Sequence, residues 1–288
     1  MEPIKDILGR FPGKNPVVLS ATWSKVTRSC NECHKDYEAN VRSVGGKEII
    51  ATTLCRECRD KRMIEEEKNR ALQLISEQSP SIREKWLKES GLLPRYINKT
   101  FENFESDKQS KAYRAIKDYT GNKSLVLLSS IGVYGIGKTH LCAGLVHQII
   151  ETSETMLINN DFSVREISNP VKFTTEDEII SGIRYTFNDQ KAEPTEQYIY
   201  GELARVEHLI IDDVGKTHPK DYSFVNDVYY RIINTRYSRL KPIVITTNLD
   251  LEELEKHIGG ACADRLREMC GKAGFIKMTG ESYRKKQS

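Results

Sequence analysis

Nowhere among the 288 residues does an apolar run approach the ~20 residues needed to cross a bilayer. The opening Met1-Glu-Pro-Ile-Lys-Asp lacks the charged-then-apolar order of a secretory signal, so the expectation is a cytoplasmic chain with no membrane partner. Net charge is almost absent. Lys and Arg number 44 and Asp and Glu 41, leaving +3, so any contact with DNA has to come from a local patch and not from a global field. There is no internal repeat and no long low-complexity tract, which sets aside solenoids and disordered tails. Seven cysteines are an odd number for a disulfide framework. Four of them form two C-x-x-C pairs, a pattern that in a reducing compartment points to metal. With 38% hydrophobic residues the chain can bury one sizeable α/β core and carry a smaller module besides.

Residues 1–28 open with Ile4, Ile7, Leu8 and Phe11, which can share one helical face. The paired cysteines occupy 29–58. Residues 59–78 read as a solvated helix with a thin apolar edge of Met63, Ala71, Leu72 and Ile75. Ser79-Pro80-Ser81 is expected to break it, with helix resuming over 82–90 before Gly91. From about residue 92 strands and helices alternate. Apolar, β-rich runs lie at Leu125–Leu128, Met156–Ile158, 209–211 and Ile243–Thr247, and 224–237 has helical spacing. The polar stretch 160–201 offers a single helix at 176–187. Near-continuous apolar strands separated by helices predict an α/β fold with a parallel sheet covered on both faces. The expected division is a small N-terminal module with the cysteine pairs and a helix at 1–90 and a larger α/β domain at 91–288.

Directly after the strand Leu125–Leu128 stands Gly132-Val-Tyr-Gly-Ile-Gly137-Lys138-Thr139, followed by a helical run. This is G-x-x-x-x-G-K-T in its meaningful context of strand, loop and helix. Gly132, Gly135 and Gly137 let the backbone, with Val133, Tyr134 and Ile136 between them, turn its N–H groups toward phosphates. Lys138 brings a point charge to the β- and γ-phosphates, and the helix start at Thr139 and His140 adds a partial positive charge. The Thr139 hydroxyl is the expected Mg²⁺ ligand. A second apolar strand ends in Asp212-Asp213, which places two carboxylates at the edge where open α/β sheets bind ligands. Asp212 would hold Mg²⁺ through water and Asp213 would polarise the attacking water; two acids after a strand can also be a helix cap. A third strand, Pro242-Ile-Val-Ile-Thr-Thr-Asn248, ends in a side chain able to reach the γ-phosphate or the lytic water. Phe101 and Phe104 either border the adenine or pack in the core.

Cys30-x-x-Cys33 and Cys55-x-x-Cys58 are separated by 21 residues with Val44-Gly-Gly-Lys47 between two strand-like runs. The pattern reads as a zinc ribbon, two knuckles joined by a hairpin. Four thiolates leave no open coordination position, so the Zn²⁺ is structural. A redox dithiol is the competing reading, and no thioredoxin-like βαβ surrounds the pairs. His34 is read as an exposed neighbour of Cys33, and the ribbon as a protein-binding more than a DNA-binding unit.

Beyond these motifs, the stretches Leu93-Pro-Arg-Tyr-Ile-Asn-Lys-Thr-Phe-Glu-Asn-Phe104, Tyr229-Tyr-Arg-Ile-Ile-Asn-Thr-Arg-Tyr237, Thr246-Thr-Asn-Leu-Asp-Leu-Glu-Glu-Leu254 and Ala263-Asp-Arg265-Leu-Arg-Glu-Met-Cys270 resemble the DnaC/DnaI/IstB group of AAA+ ATPases over 92–284. The resemblance implies an AAA+ P-loop fold with a parallel five-stranded sheet of order 5-1-4-3-2, preceded by the small zinc module. It implies that Asn248 stands beside the P-loop as sensor 1, and that Arg265 is an arginine finger for the neighbouring subunit. A finger of that kind can be worth ~10³–10⁵ in rate. Arg265 and Arg267 could instead form surface salt bridges. Relatives often carry a further arginine where this chain has Ala261, and many have Glu in place of Asp213, which hints at slow hydrolysis. Arg284 resembles another basic position of the family.

The function so implied is ATP-dependent loading of a hexameric replicative helicase onto single-stranded DNA by a homo-oligomer formed in the ATP state, with the N-terminal module docked on the helicase. An IstB-like transposition helper and a nucleotide-dependent adaptor with little turnover are the alternatives. Lys216, Lys220, Arg231 and Arg236 are possible DNA contacts, as is the stretch 160–201.

Overall fold

The computed structural model describes residues 22–44, 47–50, 52–130, 133–188, 194–216 and 222–283. The N-terminal apolar face from Ile4 to Phe11, the Gly-Gly turn at 45–46, and Gly132, Lys220 and Arg284 lie outside the described residues. The chain divides into two compact units, Met1–Gln73 and Leu74–Ser288.

In the first unit β1 (Thr22–Ser29), β2 (Asp36–Val44) and β3 (Lys47–Ile50) form an antiparallel sheet in chain order. On β2, Ala39 and Val41 are buried while Glu38, Asn40 and Arg42 are exposed, the period-two signature of a half-covered sheet. Helix α1 begins at Arg56 and runs to Glu89.

No break occurs at Ser79-Pro80-Ser81, contrary to the sequence expectation; Pro80 sits inside α1. Proline removes one backbone N–H from a helix interior. The turn is held by side chains instead: the Ser79 hydroxyl is 2.6 Å from Ile75 O and 2.6 Å from the Thr155 hydroxyl. Burial of Ile82 and Trp86 fixes the helical turns that follow. Beyond α1, Gly91 has φ +87°, and a Cβ there would stand 2.1 Å from Phe173 O, so only glycine permits this approach to the sheet.

The second unit carries α2 (Ser110–Lys117), β4 (Leu125–Leu128), α3 (Lys138–Thr152), β5 (Met156–Ile158), β6 (Val164–Glu166), β7 (Val171–Thr175), α4 (Glu176–Asn188) and α5 (Glu196–Arg205). It continues with β8 (His208–Val214), α6 (Ser223–Ser238), β9 (Ile243–Thr247), α7 (Leu251–Ile258), α8 (Gly260–Cys270) and β10 (Phe275–Lys277). Five strands form a parallel sheet in the order β10-β4-β9-β8-β7. Numbered by their turn in this sheet, that is 5-1-4-3-2.

Strand residues alternate between two cores. Leu127, Ile210, Val244 and Ile276 pack with α2, α3 and the end of α1. Val126, Leu209, Ile211, Ile243 and Ile245 pack with α4, α6 and α8. The sheet is therefore buried on both faces, which is why its strands read as continuous apolar runs.

One expected sheet strand is misplaced. Met156–Ile158 pairs antiparallel with β6 in a separate two-stranded ladder, and the sheet position belongs to β7. Leu157 and Ile158 are 39% and 38% exposed, whereas Val171 and Phe173 are buried. The stretch 160–201 accordingly holds two strands and most of a second helix besides the one expected.

Candidate nucleotide site and metal centre

The loop between β4 and α3 is shaped by its glycines. Gly135 and Gly137 have φ +70° and +97°, in the left-handed region. A Cβ on Gly137 would fall 2.7 Å from the Phe104 ring, so the loop is also pressed against the segment before β4. Phe104 stacks on Tyr113 and receives the His140 ring edge-on at 5.1 Å. Phe101 packs on α3 at Gly144. Both phenylalanines are core residues, and Phe104 is also a wall of the cleft. His140 Nε2 lies 2.9 Å from Thr100 O and 2.7 Å from Asn103 Oδ1; burial lowers its pKa and keeps the ring neutral. Its ring is committed to that segment.

Lys138 is buried, and its ammonium donates to Ser129 Oγ (2.7 Å) and Asn248 Oδ1 (2.6 Å). Parallel neighbours β4 and β9 end side by side, and the Ser129 hydroxyl after β4 donates to Asn248 Oδ1 after β9 at 3.0 Å. The Thr139 hydroxyl donates to Asp212 Oδ2 at 2.8 Å, and the Thr246 hydroxyl donates to Asp212 Oδ1 at 2.5 Å. Asp212 is 3% exposed; burial first, then the charge of Asp213, lifts its carboxyl from 3.8 to about 6, against the pull of both hydroxyls.

Successive residues of a regular strand face opposite ways. The β8–β9 register shifts between Ile211 and Val214, and Asp213 has φ +55° with its N–H on Thr246 Oγ1 at 3.0 Å. Aspartate tolerates this conformation better than most residues. The irregularity leaves Asp212 buried and sets Asp213 on the wall of the cleft.

The cleft has a volume of about 570 Å³ and joins the P-loop, Asp213 and Asn248 to Arg95, Tyr96 and Tyr283. Pockets of this size suit a small ligand such as a nucleotide. The donor set fits a hard cation: the hydroxyl of Thr139 and the carboxylate of Asp212 are neighbours, oxygen ligands of the kind Mg²⁺ takes.

Arg265 stands apart. On α8 its guanidinium lies over the rings of Tyr230 (5.3 Å) and Tyr237 (5.9 Å) and donates to Ala261 O. None of these residues lines the cleft. Arg267 pairs with Glu255, and Arg231 with Glu196.

Arg236 is not a DNA contact. It is fully buried and donates to the carbonyls of Leu203, Val206, Glu207 and Pro242. A guanidinium so enclosed ties two loops together and offers nothing to a phosphate backbone. Lys216 is exposed at the mouth of the cleft.

Three residues escaped the sequence reading. Ser129 directly follows the apolar β4 and Thr246 lies in β9 after its apolar run, a signal available in the sequence. Glu176 is buried at the start of α4, where its carboxylate accepts from Gly215 N–H at 2.9 Å and Tyr229 OH at 3.2 Å and meets His257 Nε2. It anchors the turn that follows Asp213, and no local motif announces it.

In the first unit the sulfurs of Cys30, Cys33, Cys55 and Cys58 lie within 4.8 Å of one another, with Cys33 and Cys55 at 3.7 Å. Zn–S bonds of ~2.3 Å in a tetrahedron place sulfurs about 3.8 Å apart, so the set fits Zn²⁺. The N–H groups of Cys55 and Cys58 point at Cys30 Sγ (3.3 Å) and Cys55 Sγ (3.5 Å). Backbone N–H groups of Cys33 and Cys55 hold the Cys30 thiol down at about 6, toward the thiolate a metal binds. His34, at φ +59°, makes the knuckle turn and is exposed. Cys142, Cys262 and Cys270 are buried in the second unit. No described helix is long and apolar enough to cross a membrane.

Residues 87–288 match the family described as IstB-like ATP binding protein. The Replicative helicase loader DnaC of Escherichia coli (strain K12) is 26% identical over 201 residues, spanning 68% of this chain and 73% of that protein. The crystal structure of the DnaC helicase loader superimposes with a TM-score of 0.48 at 20% identity, covering 65% of this chain and 100% of that one. For the crystal structure of the DnaI the values are 0.47, 21%, 66% and 96%.

Proposed function

The chain belongs to the IstB-like ATP binding proteins, and from that premise we propose that it is an ATPase that loads a replicative DNA helicase onto single-stranded DNA. The observation that carries the catalytic part is the single cleft in which Lys138, Asp213 and Asn248 converge beside the buried Thr139–Asp212 pair. The P-loop amides, Lys138 and the start of α3 bind the phosphates. Thr139 and Asp212 would hold Mg²⁺, which when bound neutralises phosphate charge. Asp213 orients the attacking water and takes its proton, and Asn248 orients the γ-phosphate or that water. Arg265 of a second copy completes the cleft, so turnover by a lone chain is slow. The loader part draws on the relative named a replicative helicase loader and on the four-cysteine unit, which we assign to docking on the helicase. The protein works in the cytoplasm as a homo-oligomer in its ATP state.

Two experiments test this reading together. ATP turnover is measured with and without single-stranded DNA over a range of chain concentrations; stimulation and a per-chain rate rising with concentration are expected. The chain is then used to capture the host's purified replicative helicase. Retention supports a loader, and turnover without retention favours a transposition helper, the second reading that the IstB-like family match supports. An absence of turnover under every condition would leave an adaptor.

A further inference from the structure

The chain's last described segment returns to the P-loop. After β10, Met278 N–H bonds Leu128 O at 2.8 Å and Thr279 O accepts from Gln109 at 2.5 Å. Gly280, at φ +126°, turns the chain in a conformation that side chains rarely adopt. Tyr283 N–H then bonds Gly135 O at 3.0 Å, on the P-loop itself, and its hydroxyl donates to Glu105 O at 3.2 Å. The Tyr283 ring lies tilted beside Phe104, centroids 6.4 Å apart.

The phosphate end of the cleft is fixed by chemistry: Lys138, Thr139 and the α3 N-terminus stand beside Asp213 and Asn248. A nucleotide seated there has its sugar and base in the remainder, whose walls are Arg95, Tyr96, Phe104 and Tyr283. Phe104 is 8% exposed and held by Gly137, Tyr113 and His140. Tyr283 is half-buried and lines the cleft, held to the P-loop by its backbone and to Glu105 by its hydroxyl.

Building on the nucleotide reading above, we propose that Tyr283 contacts the nucleotide base, so that the strap 279–283 forms the base wall of the site. The ring favours a purine by stacking area, and the site then senses the base as well as the phosphates.

The test uses the full chain and three ligands with Mg²⁺: ATP, ADP and inorganic tripolyphosphate, which has phosphates and no base. Tyr283→Ala keeps the N–H bond to Gly135 and removes the ring. It should weaken ATP and ADP by about tenfold or more, the size of a lost base–aromatic stack, with tripolyphosphate unchanged. Tyr283→Phe keeps the ring and should bind ATP within about twofold of wild type. Thermal unfolding verifies that both variants fold. Unchanged ATP affinity in Tyr283→Ala would overturn the proposal. So would an equal loss for tripolyphosphate, since the ring would then be supporting the P-loop. A wild-type chain that binds tripolyphosphate but not ATP overturns the base wall alone; one that binds neither overturns the nucleotide reading and this inference with it.

Discussion

Replacing Asp212 with asparagine should stabilise the fold at neutral pH while abolishing magnesium-dependent turnover. The carboxyl is 3% exposed, and burial with Asp213 beside it lifts its pKa from 3.8 to about 6. Between those values the folded chain keeps the proton and the unfolded chain has lost it. Stability is therefore fullest below about pH 4 and is lost as pH rises through about 6. Holding the ionised group inside the fold costs ~3 kcal/mol at neutral pH. Asparagine can keep both neighbours, its carbonyl accepting from Thr246 and its amide donating to Thr139. Urea unfolding in magnesium-free buffer measures the difference. Asp212→Asn should be ~2–3 kcal/mol more stable at about pH 7.5, with the gap closing toward pH 4.5. Added Mg²⁺ should narrow the gap by binding the ionised wild-type carboxylate. Equal or lower stability of the variant at neutral pH, or a gap indifferent to acid, would refute the reasoning.

Arg236→Met keeps the apolar stem but strands the carbonyls of Leu203, Val206, Glu207 and Pro242, and should cost ~3–5 kcal/mol in urea unfolding. A loss below about 1 kcal/mol would mean that water replaces the guanidinium. For the cysteine centre, metal analysis should find about one zinc per chain. Stripping it, or Cys58→Ser, should unfold the three-stranded unit by circular dichroism and abolish helicase capture while ATP affinity holds. Loss of ATP binding on chelation would refute the division of labour.

What the sequence disclosed depended on how local each physical constraint is. A phosphate loop must place its glycines, lysine and threonine within eight positions, so the motif carries its geometry with it. Two C-x-x-C pairs likewise bring four sulfurs together through one sheet. The sheet order was accessible only through resemblance, because short apolar runs do not state their neighbours. That is why Met156–Ile158 reads as a sheet strand and Val171–Thr175 does not: both are short, and only packing against Ser90 and β8 separates them. β1 left no trace for a different reason. Its side chains are exposed or only partly covered, Trp23 at 66%, so it lacks the alternation that marks a strand. Pro80 misled because propensity counts the missing N–H, ~3 kcal/mol in a helix interior, and not the burial of Ile82 and Trp86 beyond it. Arg236 and Glu176 find their partners 29 to 81 positions away, apart from Pro242, and nothing beside them in sequence signals burial.

The same contrast bears on Arg265. To serve the cleft of its own chain the guanidinium would have to leave Tyr230 and Tyr237, neither of which lines that cleft, and surrender its bond to Ala261 O. An arginine stacked on two rings keeps its charge and its planar fork while losing side-chain freedom, which is a suitable state for meeting phosphate across an interface. The cleft meanwhile has cations of its own in Arg95, Lys99 and Lys216. If these sufficed, the rate per chain would not depend on concentration. Turnover that rises with assembly, and falls in Arg265→Ala without loss of ATP affinity, is what separates an arginine acting on a second copy from one that merely decorates α8.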